Sequence, residues 1–235
     1  MRQKSTIKKH RFKCKKCNRL AVKNGRQSNG KQRYYCKICK YSFQRSYRYK
    51  AYKTDTNRNI YRFLKESVGI TSTSRLLSIS KATVIKRIKY MASLVEKPIA
   101  NEKHQYYELD EMRVVVGYKL KEAWVTYAIN RHTKRVIDFI VGRRTRQNIS
   151  VVTKSVLQLY PKIIFTDRLK TYRSLIPRAQ HNTRKKNTTV IERNNLTLRI
   201  HLKRLSRKTI CFSRNFEMLE ATLKLYLWGN QLNFR

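Results

Sequence analysis

The chain has 235 residues, of which 40% are hydrophobic and 11% aromatic, so a wholly disordered protein is excluded. Its 56 Lys and Arg against 13 Asp and Glu give a formal net charge of +43, which predicts a polyanionic partner, with DNA or RNA favoured over a membrane surface. The sequence contains no apolar run of about 18 residues and no signal-peptide pattern, so we expect a cytoplasmic protein in a reducing compartment without a membrane partner.

Two cysteine pairs stand near the start of the chain, Cys14 with Cys17 and Cys36 with Cys39. Two CxxC pairs at this spacing fit four thiolates around one tetrahedral Zn²⁺, a closed site that is structural rather than catalytic. Redox-active pairs or free thiols are the alternative, which the spacing and the compartment disfavour. We therefore expect a zinc ribbon over residues 1–50. Cys211 lies far away in sequence and is expected to be a small buried hydrophobic residue.

Residues 51–100 are predicted to form a helix-turn-helix DNA-binding domain. Its first helix begins near Thr71, and Ser80 is well suited to cap the second. The second helix would bury Val84, Ile85 and Ile88, and would present to the major groove and the phosphates Lys81, Thr83, Lys86, Arg87 and Lys89. An ordinary helical hairpin is the alternative, because the motif is short and Ser78 stands where such turns often have Gly.

Residues 101–235 mix strands and helices, which predicts an α/β domain. Three strands with short connections, at about 106–118, 123–130 and 136–142, are expected to form an antiparallel meander. The segments that follow are a helix over about 148–160, a strand over 162–166, and helices over about 192–207 and 214–228.

Three acidic residues in this domain are expected to converge at one edge of the sheet. The first strand supplies one of Glu108, Asp110 and Glu111, Asp167 directly follows the fourth strand, and Glu192 begins the long helix. Clustered carboxylates repel one another, and two Mg²⁺ ions would hold them ionised for phosphodiester chemistry. Ordinary salt bridges to the abundant Lys and Arg are the alternative. Glu111 is either an auxiliary acid or a neighbour that points to the opposite face of the strand, and the alternation of side chains along a strand favours the second.

These motifs resemble transposases of the insertion-sequence-one family over nearly the whole chain. The matching segments are the cysteine ribbon with Gln32-Arg33-Tyr34, the helix-turn-helix, Glu108-Leu109-Asp110-Glu111, Thr166-Asp167, Ile191-Glu192-Arg193-Asn194-Asn195-Leu196, Arg207-Lys208-Thr209 and Phe212-Ser213. The resemblance implies a ribonuclease-H-like catalytic domain with an Asp-Asp-Glu triad, which falls on Asp110, Asp167 and Glu192. The chain departs from the family at Arg168-Leu169, where Gly-Trp is usual, and over 187–190.

The resemblance implies a transposase whose ribbon and helix-turn-helix bind the terminal inverted repeats of a mobile element. The catalytic domain would cleave a strand at each end and join the freed 3′-hydroxyl to target DNA, with Arg199 and Lys203 positioning phosphates. Two ends imply a homodimer or larger assembly on nucleoid DNA. The alternatives are a non-catalytic repressor at the same repeats and an RNA-binding or ribosome-associated protein, which would leave the acidic triad unused.

Overall fold

The computed structural model describes residues 12–46, 49–117, 122–184, 188–206 and 209–234. These residues form two compact units, which divide between Tyr52 and Lys53. The Arg207-Lys208 part of the sequence motifs lies outside the described residues. No helix in the described part of the chain combines the length and the hydrophobicity needed to cross a membrane.

The first unit is a four-stranded antiparallel sheet in chain order, built from β1 (Phe12–Lys13), β2 (Leu20–Arg26), β3 (Gln32–Cys36) and β4 (Tyr41–Gln44). Gly25, at a register irregularity near the end of β2, and Gly30, in the turn to β3, adopt positive φ angles of 64° and 76°, a conformation that glycine takes without strain. The small core comprises Cys14, Tyr34, Cys36 and Phe43. The cysteines are thus part of the only apolar cluster found in the described ribbon.

The second unit begins with three helices, α1 (Thr56–Lys65), α2 (Ile70–Leu77) and α3 (Lys81–Ser93). Ser78 turns the chain between α2 and α3 with a left-handed φ of 51°, where the sequence lacks the expected glycine. The Ser80 hydroxyl accepts the Thr83 N–H at 3.0 Å, as predicted for a helix cap. Val84 and Ile88 are buried, whereas Ile85 is half-buried.

A five-stranded sheet follows, with strand order β7-β6-β5-β8-β9. Its strands are β5 (Tyr106–Val115), β6 (Glu122–Asn130), β7 (Val136–Gly142), β8 (Ile163–Phe165) and β9 (His181–Asn182). The first three form the predicted antiparallel meander, and β8 and β9 add in parallel to β5 and β8. This order and these directions are those of the ribonuclease-H-like fold, which confirms the predicted fold class.

Helices cover both faces of this sheet: α4 (Arg146–Leu157), α5 (Lys170–Leu175), α6 (Thr189–His201) and α7 (Phe216–Trp228). Alternate side chains of β5 enter two apolar clusters, since successive residues of a strand point to opposite faces. Met112 and Val114 pack with α6 and α7, and Tyr107 and Leu109 pack with α4 and α5. The sheet is therefore supported on both sides along the strand that carries Asp110.

Helix α7 also packs against the helix-turn-helix. It contacts α3 and α1, and Lys89 of α3 forms an ion pair with Glu217 of α7. The Tyr61 hydroxyl donates to Asn230 Oδ1 at 2.9 Å just beyond α7. Residues of the helix-turn-helix and of the sheet thus belong to one packed unit.

Three expectations about this region differ from the structure. Helix α6 ends at His201 rather than near Arg207, because Leu202 is extended (φ −126°, ψ 91°) and a 3-10 turn follows at Lys203–Leu205. The short elements α5 and β9 were not expected. Cys211 is exposed rather than buried, so the prediction of a buried thiol was wrong.

Candidate active site

Three carboxylates lie together where β8 ends beside β5. Ligand oxygens of Asp110, Glu111 and Asp167 are all within 4.8 Å of one another, which suits a bound metal ion. Strand β8 pairs with β5 only as far as the Glu108–Phe165 register, so the chain leaves the sheet there and brings Asp167 beside the next two acids. The carboxyl end of a parallel strand thus creates the site.

Asp110 and Glu111 approach this point from opposite faces of the sheet. On the α6 side, Asn195 Nδ2 donates to Asp110 Oδ2 at 2.7 Å. On the α5 side, the Tyr172 hydroxyl donates to Glu111 Oε1. Glu111 therefore points to the face expected from the strand alternation, yet its carboxylate also belongs to the acidic group.

Arg144 supplies the positive charge next to this group. Its Nε and Nη2 donate to Glu111 Oε2 at 3.0 and 2.8 Å, and Nη2 lies 3.7 Å from Asp167 Oδ2. The guanidinium lies 4.8 Å from the ring centroid of Trp124. The other oxygen of Asp167 accepts the Leu169 N–H at 2.9 Å, so this carboxylate is held from both sides.

Glu192 lies in the first turn of α6, and its side chain accepts from Thr188 Oγ1 at 2.9 Å. It is not part of the acidic group that lies within 4.8 Å. Its charge nevertheless reaches the site: burial chiefly, and the charges of Asp167 and Glu192 in addition, raise the pKa of Asp110. The structure therefore gathers Asp110 and Asp167 closely and places Glu192 nearby on the facing helix.

Glu108 has a structural role that its position in the sequence does not indicate. Its side chain is fully buried, and Oε2 accepts the Ile191 N–H at 2.8 Å in the first turn of α6. Oε1 lies 3.2 Å from Arg131 Nε, within ion-pair distance but outside hydrogen-bond geometry. The Arg131 guanidinium in turn lies 4.5 Å from the Phe165 ring centroid on β8. Glu108 thus joins α6, which carries Glu192, to the strand of Asp110.

The four cysteines of the ribbon also form a group whose sulfurs lie within 4.8 Å of one another. Cys17 and Cys36 Sγ are 3.6 Å apart. Hydrogen bonding to Cys17, together with burial, raises the pKa of Cys39 to about 12. Four thiols this close ionise together only around a cation, so the group fits a closed metal site.

The predicted DNA-contacting residues differ in their surroundings. On α3, Lys81 and Lys86 are exposed and Thr83 and Arg87 are half-buried, whereas Lys89 is engaged by Glu217. Arg199 and Lys203, which were also predicted to contact phosphate, line different cavities. Arg199 lines a groove beside Asp110, while Lys203 lines another cavity with residues of the α1–α2 connection.

Comparisons with known proteins identify the family of the chain. A family model described as IS1 transposase matches residues 105–232, which include all the acids described above. The chain is 38% identical to insertion element iso-IS1n protein InsB of Shigella dysenteriae over 51% of this chain and 92% of that protein. It is 36% identical to insertion element IS1 2 protein InsB of Escherichia coli K12, over 51% and 72% of the two chains.

Among solved structures, the chain is similar to the HTLV-2 integrase catalytic core domain in complex with magnesium, at 16% identity and a TM-score of 0.35 over 56% of this chain and 88% of that chain. The fold assignment rests on the strand order and not on this distant likeness. With more than half of its residues matched by the family model and 92% of a curated relative covered, the chain belongs to the IS1 transposase family.

Proposed function

We propose that this protein is an active DNA transposase that cleaves the ends of an insertion sequence and joins them to target DNA. The observation that carries the proposal is the group of Asp110, Glu111 and Asp167 oxygens within 4.8 Å, facing the helix that bears Glu192. Metal-held carboxylates at this position of a sheet suit phosphodiester hydrolysis and transesterification.

Asp110, Asp167 and Glu192 would hold two Mg²⁺ ions, which stabilise the charge that develops on the attacked phosphate. The metal-binding role needs ionised carboxylates, and Arg144 favours ionisation of Glu111 by direct hydrogen bonds. Asn195 likewise favours the ionised form of Asp110 and orients one of its oxygens. Glu108 would keep the first turn of α6 in register with β5.

The ribbon and the helix-turn-helix would bind the terminal inverted repeats. Cys14, Cys17, Cys36 and Cys39 would hold Zn²⁺, and α3 would enter the major groove with Lys81, Thr83, Lys86 and Arg87. Arg199 would contact phosphate beside the acids, and Lys203 would contact phosphate farther along. Because both ends of the element must be cut, a dimer or larger assembly would act on DNA.

The decisive experiment changes Asp110, Asp167 and Glu192 singly to Ala. Each variant should lose strand cleavage and transfer with Mg²⁺ while retaining repeat binding, since the carboxylates hold metal rather than DNA. Glu220→Ala, at an exposed position of α7, is the matched control and should behave like the parent. An active parent whose cleavage survives Glu192→Ala would contradict the triad.

A repressor that binds the repeats without cutting is the second candidate. The observation that favours it is Arg168-Leu169 directly after Asp167, where family members usually carry Gly-Trp. Arg168 is exposed and adds a positive charge next to the site. Tight repeat binding by a parent that remains inactive even as the Arg168→Gly, Leu169→Trp double variant would favour the repressor.

A further inference from the structure

A groove runs from the acidic group along one edge of β5. Strand β5 is ten residues long and its neighbour β8 only three, and their pairing stops at Glu108. Beyond that point, and as far as the Val116–Ser213 bridge, the described residues pair with β5 only through β6. In this stretch next to the acids no described strand pairs with the edge of β5, although Arg199 Nη2 of α6 donates to Arg113 O at 3.4 Å.

The groove has a volume of about 550 Å³ and is lined along its length by β5 from Asp110 to Val115. Its other lining residues come from both faces of the sheet. Trp124, which pairs with Arg113 across β5 and β6, lies on one side, and Asn195 and Arg199 of α6 lie on the other. This volume falls within the range of roughly 300–1,000 Å³ typical of ligand pockets.

The lining chemistry favours one class of occupant. Arg113 and Arg199 bring positive charge to the groove, and the metal-suited carboxylates lie at its end. The positive charge favours a nucleic-acid strand, whose phosphates are negatively charged. The half-buried Trp124 offers an aromatic surface in the same groove, and Arg144 lies against its ring and fixes its position. Aromatic rings beside cations are the usual platform for unpaired bases.

We propose that this groove holds the unpaired nucleotide adjoining the scissile phosphate, with its base stacked on Trp124 and its phosphates against Arg113 and Arg199. The proposal rests on the proposed function, because the acidic group marks the position of the phosphate. It adds that the DNA strand is locally unpaired there, since a base that stacks on a side chain has left the duplex.

The test uses intrinsic fluorescence of the full-length protein. The chain has two tryptophans, and Trp228 lies on α7, away from the groove, with its Nε1 donating to Val136 O. A Trp228→Phe variant therefore reports on Trp124 alone. The probes are a thymidine hexanucleotide and an abasic hexamer with the same number of phosphates, both titrated in Ca²⁺ so that no cleavage follows.

The expected result is quenching of Trp124 by the thymidine hexamer and little change with the abasic hexamer. A Trp124→Ala variant that retains Trp228 should bind the thymidine hexamer roughly 5- to 150-fold more weakly, which is the range for loss of one base–aromatic stack. Its affinity for the abasic hexamer should be nearly unchanged. Trp124→Phe should recover most of the loss. Arg113→Gln should weaken both probes alike.

Equal responses to the two probes, or no response to either, would overturn the proposal. Photocrosslinking of a hexamer with one 5-iodo-deoxyuridine to the unaltered protein gives a second measurement that needs no substitution, and a crosslink elsewhere than Trp124 would also overturn it. Base-specific quenching in a protein that never cleaves DNA would uphold the groove and refute the proposed enzyme; cleavage without base-specific quenching would do the reverse.

Discussion

The ribbon and the ribonuclease-H-like sheet both present groups suited to metal, but they differ in what surrounds those groups. The ribbon's described cluster has four buried members, two of them Cys14 and Cys36, which belong to the metal-suited group itself. The sheet has an apolar cluster on each face, with thirteen and eleven buried members, none of which is one of its acids. The comparison indicates that the ribbon would need metal in order to fold, whereas the sheet would fold without metal and bind it afterwards.

The largest expected effect is on the ribbon. Cys36→Ser should release the metal and unfold the ribbon, because structural Zn²⁺ in finger peptides contributes about 10–16 kcal/mol of apparent binding free energy. Metal analysis and amide hydrogen exchange would measure this, and the sheet of β5 to β9 should remain protected. Cys211→Ser, at the exposed cysteine, is the control and should retain the metal. Zinc-free purified protein in reducing buffer would contradict the assignment.

A core substitution should affect the sheet and spare the ribbon. Leu198→Ala on α6 removes a buried side chain from the cluster below β5 and should lower the free energy of unfolding by about 2–5 kcal/mol. Denaturant unfolding followed by tryptophan fluorescence would measure it, with zinc content unchanged. Leu196→Ala, two residues away but 53% exposed, is the matched control and should change stability by less than about 0.5 kcal/mol. Equal losses in both variants would contradict the packing described for α6.

The buried acids predict that the free energy of unfolding depends on pH and that magnesium reverses this dependence. Burial raises the pKa values of Glu108, Asp110 and Glu111. A carboxyl whose pKa is raised on folding favours the folded state below its unfolded pKa, and this contribution is lost as pH rises through the raised value. In EDTA, their contribution to the free energy of unfolding should therefore fall as pH rises above the ordinary carboxyl range.

Magnesium at one hundred times its Kd should restore about 2.7 kcal/mol above the raised pKa values, because it binds the ionised carboxylates of the folded state. Thermal unfolding across a pH series, with and without Mg²⁺, would test this. Asp110→Asn is the control and should lose most of the magnesium effect. A magnesium effect that grows as pH falls would have the wrong sign and would refute metal binding by these acids.

The smallest effect concerns α3. Ser80→Ala removes the acceptor for the Thr83 N–H and should cost about 1 kcal/mol of local stability, whereas Ser80→Gly should cost only a few tenths. Hydrogen exchange of the first-turn amides of α3 would measure both. Faster exchange in α6 rather than α3 would contradict a local cap.

The sequence predicted well those features that depend on short-range chemistry. The CxxC spacing predicted the sulfur group, and Ser80 was recognised as a cap because its partner is three residues away. Alternation along β5 predicted the face of Glu111 and therefore disfavoured an auxiliary acid, yet its carboxylate lies beside Asp167. That proximity depends on where β8 ends, a property of tertiary structure that no local pattern records.

The end of α6 and the role of Glu108 could not be predicted from the sequence, because both depend on tertiary structure. Leu202 and Leu205 continue the apolar spacing of Leu198 and are buried, although the helix has already ended at His201. Periodicity reports burial and cannot separate a helix from a 3-10 turn that packs on the same core. Glu108 stands out only once α6 is placed over β5, since its partner Ile191 is 83 residues away.

The packing of helix α7 has a consequence for the spacing between the DNA bases that would be read and the bond that would be cut. One side of α7 contacts α3, and its Leu219 and Leu223 belong to the cluster below β5. Under the proposed function, in which α3 reads the repeat and the acids of β5 cut, the distance between the base pairs read and the bond cut would be fixed by the packing of α7 against α3 and the sheet rather than by a flexible tether. One base pair inserted between them would turn the scissile phosphate by roughly 35° around the DNA axis. The phase of the repeat, as well as its sequence, would thus decide which ends are processed.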